Sequence, residues 1–131
     1  MVGAGQGSGT RYTRGVPRVI ALVDDLMFLS RLREAAGTEV VAVRGPQELL
    51  EACRSEPPAL VVLDLDSPRV RALEALQVLR AGSPAQVVAT VGFFSHVHPE
   101  RGRDALAAGC GRVLPRSAFV KELPALLAPP A

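Results

Sequence analysis

Two clusters of carboxylates close two apolar runs. Asp24 and Asp25 follow Val19-Ile20-Ala21-Leu22-Val23, and Asp64 follows Ala59-Leu60-Val61-Val62-Leu63, with Asp66 two residues on. If the two runs are neighbouring strands, these carboxylates converge at one sheet edge, where they repel unless a proton or a hard cation neutralises them. Mg2+ suits such a set, because it takes few carboxylates and keeps waters for an incoming phosphate. The plainer use of each Asp is to end a buried strand and cap the next helix. A second string, Ser95-His96-Val97-His98, puts alternate histidines on one side of an extended segment, where they could bind a transition metal with Cys110. Spacing supplies no third ligand, and two loop histidines are ordinarily surface residues. Neither Cys53 nor Cys110 has a His or Lys nearby in sequence to mark it as a nucleophile.

The elements that position these residues alternate along the chain. Val19–Val23 is a strand, and Leu26, Phe28-Leu29, Leu32 and Ala35-Ala36 then recur at helical spacing until Gly37. Val40–Val43 is a second strand, followed by a helix opening at Pro46 and ending before Pro57-Pro58. The third strand, Ala59–Leu63, leads to a helix over 70–80, stopped near Gly82. Residues 86–93 form a fourth strand, 99–108 a weaker helix interrupted by Gly102, and 112–114 a short fifth strand. Ser117 is placed to cap a last helix through Leu127. Continuously apolar strands imply burial on both faces, hence a parallel sheet with helices on each side. Right-handed crossovers favour a doubly wound α/β/α sandwich of flavodoxin-like order 2-1-3-4-5, with its site at the carboxyl ends of the strands.

Composition narrows the function classes. The chain has 131 residues, enough for one domain that needs no metal or disulfide staple. Hydrophobic residues are 48% and charged residues 21%, a globular balance that excludes wholesale disorder. Fifteen Lys+Arg against 13 Asp+Glu leave a net charge of +2, which gives no footprint for nucleic acid. No apolar stretch approaches the ~20 residues of a membrane span, and Met1-Val2-Gly3-Ala4 opens no signal peptide. Two distant cysteines suit a reducing cytoplasm. Residues 1–16, rich in Gly (Gly3, Gly5, Gly7, Gly9, Gly15), are expected as a flexible tail, 17–128 as the folded domain and 129–131 as a frayed end. The Gly3-Ala4-Gly5-Gln6-Gly7 run follows no strand and is therefore no phosphate loop.

Val23-Asp24-Asp25 after the first strand, and Leu63-Asp64-Leu65-Asp66-Ser67-Pro68 after the third, resemble the receiver domain of two-component response regulators over about residues 18–127. The resemblance implies that Asp24 and Asp25 help hold Mg2+, that Asp64 accepts phosphate from a histidine kinase, and that Asp66 offers its backbone carbonyl to the metal. It also implies that the fourth helix, fifth strand and fifth helix form a partner or homodimer face.

The match then departs from the family. Counting on from Asp64, the position of the family's hydroxyl residue is Phe94, with Ser95 one residue later and Thr90 four earlier. The family's lysine position is Arg116, a planar fork rather than a compact ammonium. Ser117 stands where a proline usually follows, and Val113 replaces the aromatic switch residue. The expectation is an atypical or pseudo-receiver: a cytoplasmic, non-enzymatic module with weak or no phosphorylation, acting through a kinase or a downstream protein. The alternatives are a working phospho-receiver using Asp64 with Mg2+, and a flavodoxin-like small-molecule binding domain. No organic cofactor is implied. A Mg2+-dependent phosphotransfer enzyme ranks last, since no general acid is evident.

Overall fold

The structure, a computed structural model, describes residues 18–82 and 88–127. The expected N-terminal tail and the frayed C-terminus lie outside the described residues, as does the proposed start of the fourth strand at Gln86. The elements alternate as β1 (Val19–Leu22), α1 (Leu26–Ala36), β2 (Val40–Val43), α2 (Pro46–Ser55), β3 (Leu60–Asp64), α3 (Ala72–Gly82), β4 (Thr90–Phe94), α4 (Pro99–Ala107), β5 (Arg112–Pro115) and α5 (Arg116–Leu127). All pairings are parallel, and the sheet order is β2-β1-β3-β4-β5. The flavodoxin-like sandwich read from the apolar runs is the fold observed.

Strand alternation divides the core into two layers. Val19, Ala21 and Val23 point with Val62, Val91 and Phe93 toward α1 and α5, where they meet Phe28, Leu32, Phe119 and Leu123. Ile20, Leu22, Val61 and Leu63 point the other way, toward Leu49 and Cys53 of α2, Leu76 of α3 and Ala105 of α4. Phe93 anchors the first layer, with ring centroids 4.4 Å from Phe28 and 5.3 Å from Phe119. Each such aromatic pair contributes about 0.5–1.5 kcal/mol beyond its buried area.

Local chemistry sets several boundaries. The Asp25 carboxylate accepts from the Phe28 N–H at 3.1 Å and caps α1, while Gly37, at φ 60°, ends it in the left-handed region. Pro46 opens α2. Several local details differ from the sequence reading. Helix α3 begins at Ala72 rather than Val70, because Arg71 sits at φ 51° and cannot continue a helical turn. Ser117 lies inside α5, which opens at Arg116, so it is not the cap. Gly102 does not interrupt α4; it is buried beneath Phe94, and a Cβ there would come within 2.8 Å of Phe94 Cε1. No helix among the described residues is long and apolar enough to cross a membrane.

Candidate functional site

Leu22 pairs with Leu63, so the residues leaving β1 and β3 emerge side by side at the carboxyl edge of the sheet. Asp64 is the last residue of β3 and only 3% exposed. Its Oδ1 accepts from the Asp66 N–H at 2.9 Å, the one hydrogen bond it makes among the described residues. Burial pushes its carboxyl above the usual Asp range. The Asp66 N–H and the Arg116 charge pull it back, and the charges of Asp66 and Asp24 push it up again. Asp24 and Asp64 thus leave neighbouring strands at the same edge of the sheet, as the strand order predicts.

Its counter-charge comes from arginines. Arg69 Nη1 lies 3.7 Å from Asp24, Arg116 Nη1 lies 3.7 Å from Asp25, and Arg101 Nη1 lies 2.9 Å from Asp66. Arg101 also donates to the Asp66 backbone carbonyl at 3.3 Å. Arg116 rests over two aromatic faces, 4.9 Å from the Phe28 ring and 5.0 Å from that of Phe93, which desolvates one side of its guanidinium. The nearest carboxylate that Arg116 pairs with is thus Asp25 rather than Asp64.

These contacts bear on a metal. The donors are all hard oxygens, as Mg2+ requires. Yet one oxygen of Asp25 caps α1 and the other faces Arg116, while the Asp66 carbonyl faces Arg101. No group of three or more His, Cys, Asp or Glu side chains among the described residues is placed to hold a metal ion. As arranged, the set does not fit a divalent ion held jointly by Asp24, Asp25, Asp64 and the Asp66 carbonyl.

The end of β4 carries a further departure. Phe94 turns toward α4 and packs on Gly102, so no hydroxyl stands at this position. Ser95 is no replacement: its hydroxyl accepts from the Val97 N–H at 3.4 Å within its own turn. Thr90 is at the far end of the strand, accepting from the Gly111 N–H at 2.8 Å. What ties this loop to the site is the Asp66 side chain, which takes the Ser95 N–H at 2.7 Å and Arg101 at 2.9 Å. Sequence reasoning gave Asp66 a role only through its carbonyl, and missed Arg101. The one signal for Arg101 is a cation in the first turn of the helix after β4, and its reach depends on the β3–β4 register.

The remaining motifs separate in space. His98 sits at the start of α4 with Nδ1 3.5 Å from Glu100, whereas Cys110 is buried and its Sγ donates to the Arg112 carbonyl at 3.2 Å. The transition-metal reading of His96, His98 and Cys110 therefore has no support. Cys53 is buried among α2 and α3, and burial raises its thiol pKa, which disfavours the thiolate there; Cys110 is buried as well.

Comparison with known proteins places this geometry. No protein-family model matches the chain. The sensory/regulatory protein RpfC of Xanthomonas campestris pv. campestris is 32% identical over 99 residues, 74% of this chain; the chain spans only 14% of that relative's length. Among solved structures, a response regulator from Hahella chejuensis superposes with a TM-score of 0.73 at 19% identity, covering 85% of this chain and 92% of the other. The chemotaxis response regulator CheY4 of Vibrio cholerae gives 0.70 at 18% identity, covering 86% and 99%. The phosphorylated cyanobacterial phytochrome response regulator RcpA gives 0.67 at 18% identity, covering 86% and 89%.

Proposed function

We propose that this chain, which has the fold of the response-regulator receiver domains, is a receiver-type signalling module working through protein contacts, with phosphorylation of Asp64 weak or absent. The observation that carries this reading is Phe94 packed onto Gly102 where a phosphoryl oxygen on Asp64 would need a hydroxyl. An acyl phosphate adds charge beside Asp24 and Asp66, and its stabilisation rests on positioned donors and cations. Here Arg116 is engaged by Asp25 and two rings, and Arg101 by Asp66. Asp64 is therefore a nucleophile in the right place with little to stabilise its product.

A signal that does not run through a phosphoryl group must run through a surface. The expected partner is a histidine kinase or a downstream protein, in the cytoplasm, and the module turns over no substrate. On the α4–β5–α5 face Phe119 and Leu123 are spent in the core, and Leu106 is the exposed large apolar residue there among those described. Docking or homodimer formation through this face centres on Leu106.

The test is intact-mass measurement after acetyl phosphate treatment, and an NMR titration with beryllofluoride, each with and without Mg2+, on the native chain, Asp64→Asn and Phe94→Thr. The expected result is no stable adduct on the native chain and a measurable one on Phe94→Thr. A stoichiometric, Mg2+-dependent adduct on the native chain, lost in Asp64→Asn, establishes a working phospho-receiver instead.

A further inference from the structure

Between the N-terminal ends of α1 and α5 lies a cleft of about 590 Å3. Its apolar wall is made chiefly by Met27 of α1, which is 75% exposed, with Val120 of α5; Phe28 also lines it but is only 5% exposed. Three cations, Arg31, Arg116 and Lys121, line the same space, and Asp25 is the one carboxylate among the lining residues. Asp25 is already matched by Arg116 at 3.7 Å. Arg31 and Lys121 make no ion pair with any described residue. Two cations with no ion pair among the described residues therefore flank an apolar surface in a concavity sized for a small ligand. Solvated cationic faces are common on helices, but here they come from two helices and share one cleft with an exposed methionine.

We propose that this cleft binds a small amphiphilic anion, an aromatic or branched aliphatic body carrying one carboxylate, sulfonate or phosphate. The apolar body covers Met27 and Val120, and the anionic group lies between Arg31 and Lys121. A neutral ligand leaves those cations unmatched, and a cationic one is repelled by them. Asp64 does not line the cleft, but Asp25 and Arg116 do, so the cleft opens beside the candidate phosphorylation site and shares two of its residues.

The experiment uses the full chain and two fluorescent probes that share an aryl body. Anilinonaphthalene sulfonate carries the anion, and phenylnaphthylamine lacks it. The sulfonate is expected to bind one site with Kd about 10–100 µM, and the neutral probe at least about tenfold more weakly. The double variant Arg31→Ala/Lys121→Ala alters exposed side chains and should keep the native melting temperature while weakening the sulfonate about tenfold and leaving the neutral probe unchanged. Amide shifts in an NMR titration should centre on Met27, Arg31, Val120 and Lys121, in native chain and Asp64→Asn alike. Equal affinity for the two probes, undiminished sulfonate binding in the double variant, or shifts centred elsewhere overturns the assignment. Binding that persists while Asp64 forms no adduct supports both proposals, and loss of one result leaves the other standing.

Discussion

Replacing Asp64 by Asn should make the protein more stable at neutral pH. The native carboxylate is 3% exposed, has one N–H donor on Oδ1 and none on Oδ2 among the described residues, and feels the charges of Asp24 and Asp66. Asn is nearly isosteric and keeps an oxygen for the Asp66 N–H, so the substitution exchanges the buried charge for a neutral amide whose NH2 stands where Oδ2 stood. A buried charge with one donor costs more than a neutral amide in the same place, and the long-range attraction of Arg116 recovers part of that excess, so a gain of about 1–2 kcal/mol is expected. For a domain of this size that corresponds to roughly 4–8 °C in Tm. The pH dependence has a definite sign. The folded pKa of Asp64 is raised, so the stability linked to its proton is fully present below the ordinary Asp value of about 3.9 and lost as pH rises through the raised value. The advantage of Asp64→Asn should therefore be near zero at acid pH and reach its full size by neutrality. Urea unfolding at several pH values, in EDTA, measures this directly. An Asn variant equal to or less stable than the native chain at pH 7 refutes the reasoning, and means that a cation outweighs the burial of Asp64.

Three other substitutions probe the packing around the site. Phe93→Ala removes the ring shared by Phe28, Phe119 and Arg116, and chemical denaturation should show a loss of about 3–5 kcal/mol. Gly102→Ala gains about 1 kcal/mol of helix propensity but drives a Cβ to 2.8 Å from Phe94 Cε1. Overpacking of about 1–3 kcal/mol should win in the native background, and the sign should reverse in a Phe94→Ala background, as a double-mutant cycle will show. Asp66→Ala removes the acceptor of the Ser95 N–H and of Arg101, and should cost about 1–2 kcal/mol after allowance for solvent at Arg101. Hydrogen exchange at Ser95 should accelerate in that variant, and unchanged protection there contradicts the tie described above.

The fold was legible in the sequence because burial on both faces leaves the parallel strands continuously apolar. Val19–Leu22 and Leu60–Leu63 carry that signature without ambiguity. The placement of Asp24, Asp25 and Asp64 followed from strand order alone, since a parallel pair β1·β3 brings their ends together. Backbone exceptions were not legible. Arg71 adopts a positive φ that its residue type does not announce, and this delays α3. Gly102 reads as a helix breaker, yet it is the only residue type that lets Phe94 lie against α4. The arginine partners were hidden for a different reason. A long side chain can reach many acids, and its choice is set by register and helix packing rather than spacing. Arg116 occupies the position counted for a cation facing Asp64, but Phe28 and Phe93 offer it aromatic faces and Asp25 offers the nearer charge.

The Asp66 tie also governs the order in which the molecule can come together. Its partners lie 29 and 35 residues further along the chain, so neither contact exists until β4 has paired with β3 and α4 has docked. Contacts of such separation carry a loop-closure cost that local helices do not, so they follow the helices they join. The same logic runs in reverse. A partial unfolding that peels β4, α4 and β5 from the sheet releases Ser95 and Arg101 together and exposes Asp64 along its β4 side. The half built from β1, β2 and β3 keeps its own pairing throughout.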